Sequence, residues 1–171
     1  LSAEITGTPV LVGVEGSDAV GVTGAPVGRF STADIGLNKL VTVSGLSLSG
    51  DQADRYLLSS VSLSAAITAK TVTVSGFDLV RKAYDGTRVA VLKGTSRLAG
   101  VIAGDDAVLG GSPEPIFDTA AVGASKVVSV IGLVMEGTDA GNYVLSSVSV
   151  AGEIEAKGLT VSGLSALGRV Y

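Results

Sequence analysis

Four acidic side chains in the second half of the chain have the chemistry of calcium ligands. Asp105 and Asp106 are adjacent, and Glu136 and Asp139 form a second close pair. Calcium accepts carboxylate and backbone carbonyl oxygens from flexible loops. The spacing matches no EF-hand, and Gly104 beside Asp105 is typical of an ordinary turn. We therefore expect no cofactor, with Asp105, Asp106 and Asp139 as the candidate ligands if calcium is bound.

Nucleophilic catalysis has few candidate residues in this chain. Serine is abundant, but a serine nucleophile needs a neighbouring base. The chain contains no histidine and no cysteine, so only a serine–lysine arrangement remains. Lys70 and Lys157 occupy the same position of an internal repeat, and recurrence in each copy indicates a structural role. No pair of carboxylates has the pattern of a glycosidase acid and base. We expect the chain not to be an enzyme.

The charge and hydropathy of the chain bear on its partners. There are 12 basic and 16 acidic residues, giving a formal net charge of −4. Because no run of lysine or arginine is present, we expect no nucleic-acid partner. The longest apolar run, from Val127 to Met135, is interrupted by Ser129 and Gly132. A membrane-spanning helix needs roughly 18 to 20 apolar residues, so we expect no membrane insertion.

A shift by 87 positions aligns the chain with itself. Comparison of residues 45–84 with residues 132–171 gives 18 identities in 40 aligned positions. Upstream, GSDAV at 16–20 matches GDDAV at 104–108 at a spacing of 88, which indicates a one-residue indel in a loop. A repeat of this length predicts two units in tandem. We place the domains at 1–84 and 85–171, with a junction between about residues 69 and 87.

Alternating apolar and polar residues, rich in Val and Thr, predict β-strands at 40–48, 56–67 and 70–77. The alternation fails near Ser59 and Ser60, which indicates a bulge or a change of face there. No long helical stripe is present, so helix content should be small. Short strands with frequent turns predict tandem small β-sandwiches of the immunoglobulin-like type. A β-grasp fold, with a mixed sheet and one helix, is the alternative.

Tyrosines mark the structural motifs of each repeat. Tyr143, after Gly141 and Asn142 in the run DAGNYVL, is similar to a tyrosine corner, in which a tyrosine at the start of a strand anchors the loop before it. Tyr56 is its counterpart in the first copy. Tyr84, Asp85 and Gly86 predict a turn at a unit boundary with a buried ring, because Asp-Gly pairs favour turns.

Several longer stretches carry a family resemblance. They are KAYDGT at 82–87, AGVIAGDDAVL at 99–109, VGASKVVSVIGLVMEGTDAGNYVL at 122–145 and IEAKGLTVSG at 154–163. Together they resemble the YDG-type repeat of long secreted bacterial adhesins related to filamentous haemagglutinin. The first copy departs from the pattern in the tyrosine loop, where Asp54 replaces Gly141 and Arg55 replaces Asn142.

The resemblance implies a secreted protein attached to the bacterial cell surface, in which many repeats extend an adhesive tip. We therefore expect non-catalytic stalk repeats whose main partners are the adjacent repeats of the same chain. The alternative is that the repeats themselves bind a host or neighbouring-cell glycan or protein. A spacer should vary evenly over its surface between copies, whereas a binder should concentrate its differences in loops at one end.

Overall fold

Residues 1–78 and 80–171 are described by a computed structural model of the chain. Within these ranges the regular structure is β-strand, apart from short 3-10 turns at Ala53–Arg55 and Ala140–Asn142. This confirms the prediction of an all-β chain. The β-grasp alternative requires a helix and therefore has no support in these ranges. None of the described helical turns is long and apolar enough to cross a membrane.

The chain divides into two compact units, Leu1–Ala69 (unit 1) and Lys70–Tyr171 (unit 2). The division lies at the N-terminal end of the range 69–87 in which the sequence places the junction, whereas the sequence favoured a cut near Tyr84. The strand that starts at Lys70 pairs with strands of unit 2, so these residues belong structurally to the unit that follows them.

Unit 1 contains six short strands. They are β1 (Ser2–Ala3), β2 (Gly21–Thr23), β3 (Val27–Phe30), β4 (Gly36–Ser44), β5 (Ser47–Ser49) and β6 (Val61–Ile67). An antiparallel sheet has the order β1-β3-β4-β6, and β2 pairs with β5 in a separate ribbon. In β4 the side chains of Val41 and Val43 turn inward between exposed Thr42 and Ser44, the period-two pattern of a strand with one covered face.

Within residues 70–78 and 80–171, unit 2 contains seven strands. They are β7 (Lys70–Phe77), β8 (Val80–Ala83), β9 (Gly94–Ala99), β10 (Val108–Phe117), β11 (Gly123–Glu136), β12 (Tyr143–Leu145) and β13 (Val148–Glu155). One sheet has the order β10-β11-β13-β8, and the other has the order β12-β7-β9. Two of the pairings are parallel, β7 with β12 and β8 with β13. The first strands of the unit thus join its last strands, which closes the unit.

Paired glycines bend the long strands of unit 2. Gly111 in β10 and Gly132 in β11 both have positive φ, +82° and +80°, and the β10–β11 register shifts between Gly111 and Glu114. A Cβ atom on Gly132 would lie 2.3 Å from the carbonyl oxygen of Ser112. Only glycine combines this φ with such a close backbone approach. The counterparts in unit 1, Gly24 and Gly45, separate β2 from β3 and β4 from β5.

The structure confirms one of the three predicted strands and changes the bounds of the other two. The prediction for 70–77 is confirmed, because β7 spans Lys70–Phe77. The predicted strand at 40–48 is two strands in unit 1, β4 and β5, because the chain bends at Gly45. In the region 56–67, the strand starts only at Val61. The alternation near Ser59 and Ser60 therefore fails because the strand has not yet begun, and not because of a bulge or a change of face within it; unit 2 has the same break between β12 and β13.

Unit 2 has the larger hydrophobic core. One cluster of buried side chains contains Val80, Ala90, Phe117, Val128 and Ile154, and a second contains Val72, Ala107 and Tyr143. The strands β7 and β8 contribute Val72 and Val80, which are 0% and 2% exposed. Among the buried apolar residues of the described ranges, Val41 alone belongs to unit 1. Unit 1 therefore has counterparts of the central strands of unit 2, but its hydrophobic core is less enclosed.

Candidate functional site

The tyrosine at the start of β12 fastens a distant loop. The Tyr143 hydroxyl donates to Asp105 Oδ2 at 2.5 Å and accepts from the Ile102 backbone N–H at 3.0 Å. Burial, followed by the neighbouring Asp105 carboxylate, raises the pKa of the Tyr143 hydroxyl above its ordinary value. In the tyrosine corner predicted from the sequence, the tyrosine anchors the loop directly before it. That expectation is wrong, because the hydroxyl instead holds a loop about forty residues upstream.

Two further carboxylates tie the same loop to the turn before β12. Asp139 Oδ2 accepts from the Asp106 backbone N–H at 2.8 Å. Asp106 Oδ2 accepts from the backbone N–H of Thr138 at 3.0 Å and from its hydroxyl at 3.1 Å. These hydrogen bonds stabilise the carboxylate and lower the pKa of Asp106. Gly141 follows in the 3-10 turn, and the Asn142 N–H donates to the Asp139 carbonyl at 2.9 Å.

The three calcium candidates are therefore close together, and each carboxylate takes part in hydrogen bonds of the protein itself. Asp105 accepts from Tyr143, Asp106 from Thr138, and Asp139 from the backbone. Among the residues that the structure describes, no group of three or more acidic, histidine or cysteine side chains has the geometry of a metal site. The arrangement fits a cross-link between two loops, in which carboxylates replace missing backbone partners.

Unit 1 contains the same tyrosine–aspartate contact, but the residues around it differ, since Ala19 stands at the position of Asp106 and Gln52 at that of Asp139. Tyr56 donates to Asp18 Oδ2 at 2.8 Å and accepts from the Glu15 N–H at 3.1 Å. The Ala19 N–H donates to Gln52 Oε1 at 2.8 Å, where unit 2 uses Asp139. The glutamine amide therefore replaces a carboxylate as the acceptor.

These contacts show that the repeat has no indel. Asp18 takes the place of Asp105, and Glu15 that of Ile102, so the spacing is 87 in this loop as elsewhere. The predicted spacing of 88 is wrong. It came from the similarity of the sequences GSDAV and GDDAV, which does not correspond to the register of the hydrogen bonds. The signal that sequence reasoning missed is GTPVLVGV at 7–14 over GTSRLAGV at 94–101, which matches without a gap at 87.

The Tyr84-Asp85-Gly86 turn is closed by a lysine. Asp85 Oδ1 accepts from the Thr87 backbone N–H at 2.8 Å and lies 2.7 Å from Lys82 Nζ. These hydrogen bonds, that of Lys82 first, lower the pKa of Asp85 to about 2. Lys82 Nζ also donates to the carbonyl oxygens of Thr87 and Val89, both at 2.9 Å. The predicted turn is present, but the Tyr84 side chain is 43% exposed. The expectation of a buried ring is therefore wrong. Tyr84 follows the last residue of β8, and its backbone N–H donates to the Glu155 carbonyl while its ring remains partly in solvent.

Unit 1 has an open groove, which sequence reasoning did not identify. It has a volume of about 280 Å³ and is lined by residues 10–14, residues 56–61, Val20 and Leu48. A neighbouring groove of about 250 Å³ is lined mainly by residues 5–10 together with Val43, Val61 and Leu63. Most of the lining residues are apolar in type, and in the first groove polar and apolar atoms share the surface almost equally. We call the first of these, with its 10–14 and 56–61 walls, the open groove.

Residues 10–14 and 56–60 of these walls belong to no β-ladder among the described residues, whereas Val61 is the first residue of β6 and pairs with Val43. At a spacing of 87, their counterparts in unit 2 are part of β9 and of β12, which pair with β7 on its two sides. The groove therefore lies where a β7-like strand would fit. It was not predictable from the sequence, because its presence depends on which strands are paired and not on residue types.

The comparisons with known proteins agree with this repeated architecture. No curated protein matches the chain, and no solved structure matches it. The family model of the YDG domain matches residues 2–63 and again residues 68–150. The second match begins close to the boundary between the two units at Ala69 and Lys70. The two matches together cover most of the chain, and the chain belongs to the YDG domain family.

Proposed function

We propose that this chain is a pair of non-catalytic stalk repeats of a bacterial cell-surface adhesin. In this proposal each repeat is a small immunoglobulin-like sandwich, and the array extends and displays an adhesive tip outside the cell. The partners of each repeat are its neighbours in the chain. The localisation rests on the resemblance to adhesin repeats described above.

The observation that carries the proposal is the direct junction between the two family matches. β6 ends at Ile67 and β7 starts at Lys70, so Thr68 and Ala69 alone separate the strands. Flexible spacing between domains uses longer Gly/Ser-rich or Pro-rich linkers. A two-residue connection between repeated β-units is what a mechanical spacer requires, since slack between units would shorten its reach.

The side-chain chemistry of the repeats supports a structural role. The hydroxyls and carboxylates of the tyrosine cross-links are used within each unit, on Tyr56 with Asp18 and on Tyr143 with Asp105. The same cross-link recurs in both units at the same repeat position. A catalytic centre seldom needs to recur in every copy, whereas a fastening between loops does.

Single-molecule stretching of the 171-residue chain, held by its two ends, tests the spacer proposal. We expect unit 2 to unfold in one cooperative event. The strands of unit 2 run from Lys70 to Glu155, and unfolding of this stretch should lengthen the chain by about 30 nm less the span of the folded unit, since an extended chain spans about 3.3–3.6 Å per residue. Gradual extension without a resolved event would contradict a repeat that resists mechanical force.

Binding to a glycan array and to intact host cells separates the spacer from the alternative of a binding module. A spacer predicts no saturable binding by the 171-residue chain. The matched control exchanges the tyrosine loops, residues 51–55 and 138–142, between the two units. Saturable binding that this exchange abolishes would refute the spacer and establish the repeats as the binding element.

A further inference from the structure

The first and last segments of unit 2 lie side by side and run in the same direction. We call residues 70–83, which contain β7 and β8, the entering segment, and residues 143–155, which contain β12 and β13, the leaving segment. Three residue pairs join β12 to β7 and four join β13 to β8, and both ladders are parallel. Two parallel ladders therefore connect the segment by which the chain enters unit 2 to the segment by which it leaves.

Further backbone hydrogen bonds extend both ladders. Directly after β12, the Ser146 N–H donates to the Val72 carbonyl at 2.9 Å. Directly after β8, the Tyr84 N–H donates to the Glu155 carbonyl at 2.8 Å. Each ladder thus continues past the end of its shorter strand, and the connection between the two segments is made by backbone groups.

The ladders lie beside the hydrophobic core. Each of the four strands contributes a buried side chain: Val72 of β7 is 0% exposed, Val80 of β8 2%, Tyr143 of β12 6% and Ile154 of β13 1%. Backbone hydrogen bonds that are exposed to solvent open locally at low cost, whereas those beside a packed core open with the whole unit. The burial of these side chains therefore opposes gradual fraying of the ladders.

The parallel direction decides how a pull on the chain acts on the ladders. Force along the chain enters unit 2 at Lys70, the start of β7, and leaves at Glu155, the end of β13. In each ladder the force thus enters one strand at its start and leaves the other at its end. Because parallel strands run the same way, these two points lie at opposite ends of the ladder. A pull slides one strand along the other and stretches the bonds of the ladder together.

The other described strands of unit 2 do not lie between these two points of force. β9 pairs with β7, β11 pairs with β13, and β10 pairs with β11. Each of them is therefore attached to the entering or leaving segment from the side. A pull from Lys70 to Glu155 stretches the pairings of β10 only after a parallel ladder has broken.

We propose that the two parallel ladders form a shear clamp that sets the mechanical strength of unit 2. The clamp makes the unit resistant to force along the chain and weaker to force across its sheets. This inference deepens the spacer proposal and rests on it for the direction in which force acts on the protein. It adds a direction and a location to the resistance, neither of which the spacer proposal itself requires.

Single-molecule stretching of the 171-residue chain in two directions tests the clamp. The natural chain has no cysteine, so T68C and K157C place handles that pull along the chain through unit 2. V122C and K157C pull across the sheet instead, because Gly123 pairs with Ile154 at the end of the β11–β13 ladder. The first direction should need a force roughly twofold or more above the second, since bonds that break together present a larger unfolding barrier than bonds that break in turn.

Two matched substitutions separate mechanical strength from thermodynamic stability. Val72 lies in the β7–β12 ladder and Val128 lies in β11, and both side chains are 0% exposed. V72A and V128A should therefore lower the melting temperature by similar amounts. With handles at T68C and K157C, V72A should lower the rupture force, whereas V128A should leave it close to that of the parent protein.

Equal rupture forces in the two directions would overturn the clamp. So would a loss of force in V128A as large as that in V72A. Either result would leave the spacer proposal intact, provided that unit 2 still unfolds in one resolved event. Gradual extension in both directions would count against the clamp and the spacer together, so the failures of the two proposals are distinguishable.

Discussion

Phe117→Ala and Phe30→Ala are the same substitution at the same repeat position, and the structure predicts different costs. Phe117 is 0% exposed and packs with Val80, Val128 and Ile154. The ring also lies against Gly152, where a Cβ atom would come within 2.6 Å of it. Phe30 has the same backbone anchor, an N–H bonded to the Leu1 carbonyl as that of Phe117 is to Arg88. Its ring is only half-buried.

The magnitudes follow from this burial. Truncation of a fully buried phenylalanine costs about 3–5 kcal/mol, because apolar contacts are lost and a cavity remains. A domain of this size has an unfolding free energy of about 5–15 kcal/mol, so Phe117→Ala should remove a large part of the stability of unit 2. For the half-buried Phe30 we expect roughly half that cost or less, about 1–2 kcal/mol.

Hydrogen exchange with mass spectrometry on the full chain measures both effects, because peptides from each unit report separately. At about 1.4 kcal/mol per factor of ten, Phe117→Ala should speed globally limited exchange in unit 2 by roughly a hundredfold or more. Phe30→Ala should change exchange in unit 1 by about tenfold. Phe117→Leu, which keeps most of the apolar volume, is the control. Equal effects of the two alanine substitutions would refute the conclusion that unit 1 is less enclosed.

Three further substitutions or conditions give separate tests. Gly111→Ala should lower the melting temperature more than Gly86→Ala. Both glycines have positive φ, but only the Gly111 Cβ would meet a carbonyl, at 2.2 Å, and the φ strain alone costs roughly 1–2 kcal/mol. The pKa of Asp85 is lowered to about 2 from 3.8, so its contribution to stability is present above pH 3.8. That contribution should be lost as the pH falls toward 2, and Asp85→Asn should flatten the melting-temperature profile in this range. A chelator should leave the melting temperature unchanged, because Asp105, Asp106 and Asp139 are hydrogen-bonded within the protein; a decrease would identify a calcium site.

The all-β class, the strand at 70–77 and the repeat were predictable from local sequence. Alternating Val and Thr specify a strand wherever one face is covered. The two copies of the repeat keep identical residues at turns and in the core, which made the repeat detectable. The failure of alternation near Ser59 was visible in the sequence, but it marks the start of β6 at Val61 and not a bulge inside a longer strand.

Other features depend on long-range pairing, which local pattern does not encode. The hydroxyl of Tyr143 bonds a loop about forty residues away, and nothing near the tyrosine specifies that loop. The exposure of Tyr84 depends on what covers the end of β8. The one-residue indel was predicted from the similarity of GSDAV at 16–20 to GDDAV at 104–108, whereas hydrogen bonds in the two units fix the register at 87.

The open groove could not be predicted from the sequence, for a related reason. Residues 7–12 have the same character as β9, and residues 56–58 the same character as β12. Whether they become strands depends on a neighbour such as β7 lying between them. Sequence therefore predicts which segments can pair, and the structure shows which ones do.

The central structural claim is that β7 and β8 close unit 2 by pairing with β12 and β13, and amide hydrogen exchange of the dilute 171-residue chain tests it most directly. The account predicts strong protection in β7, β9 and β12 of unit 2. It predicts fast exchange in their unit 1 counterparts, residues 7–12 and 56–58, and in residues 157–171. Equal protection of residues 56–58 and 143–145 in the monomer would contradict it.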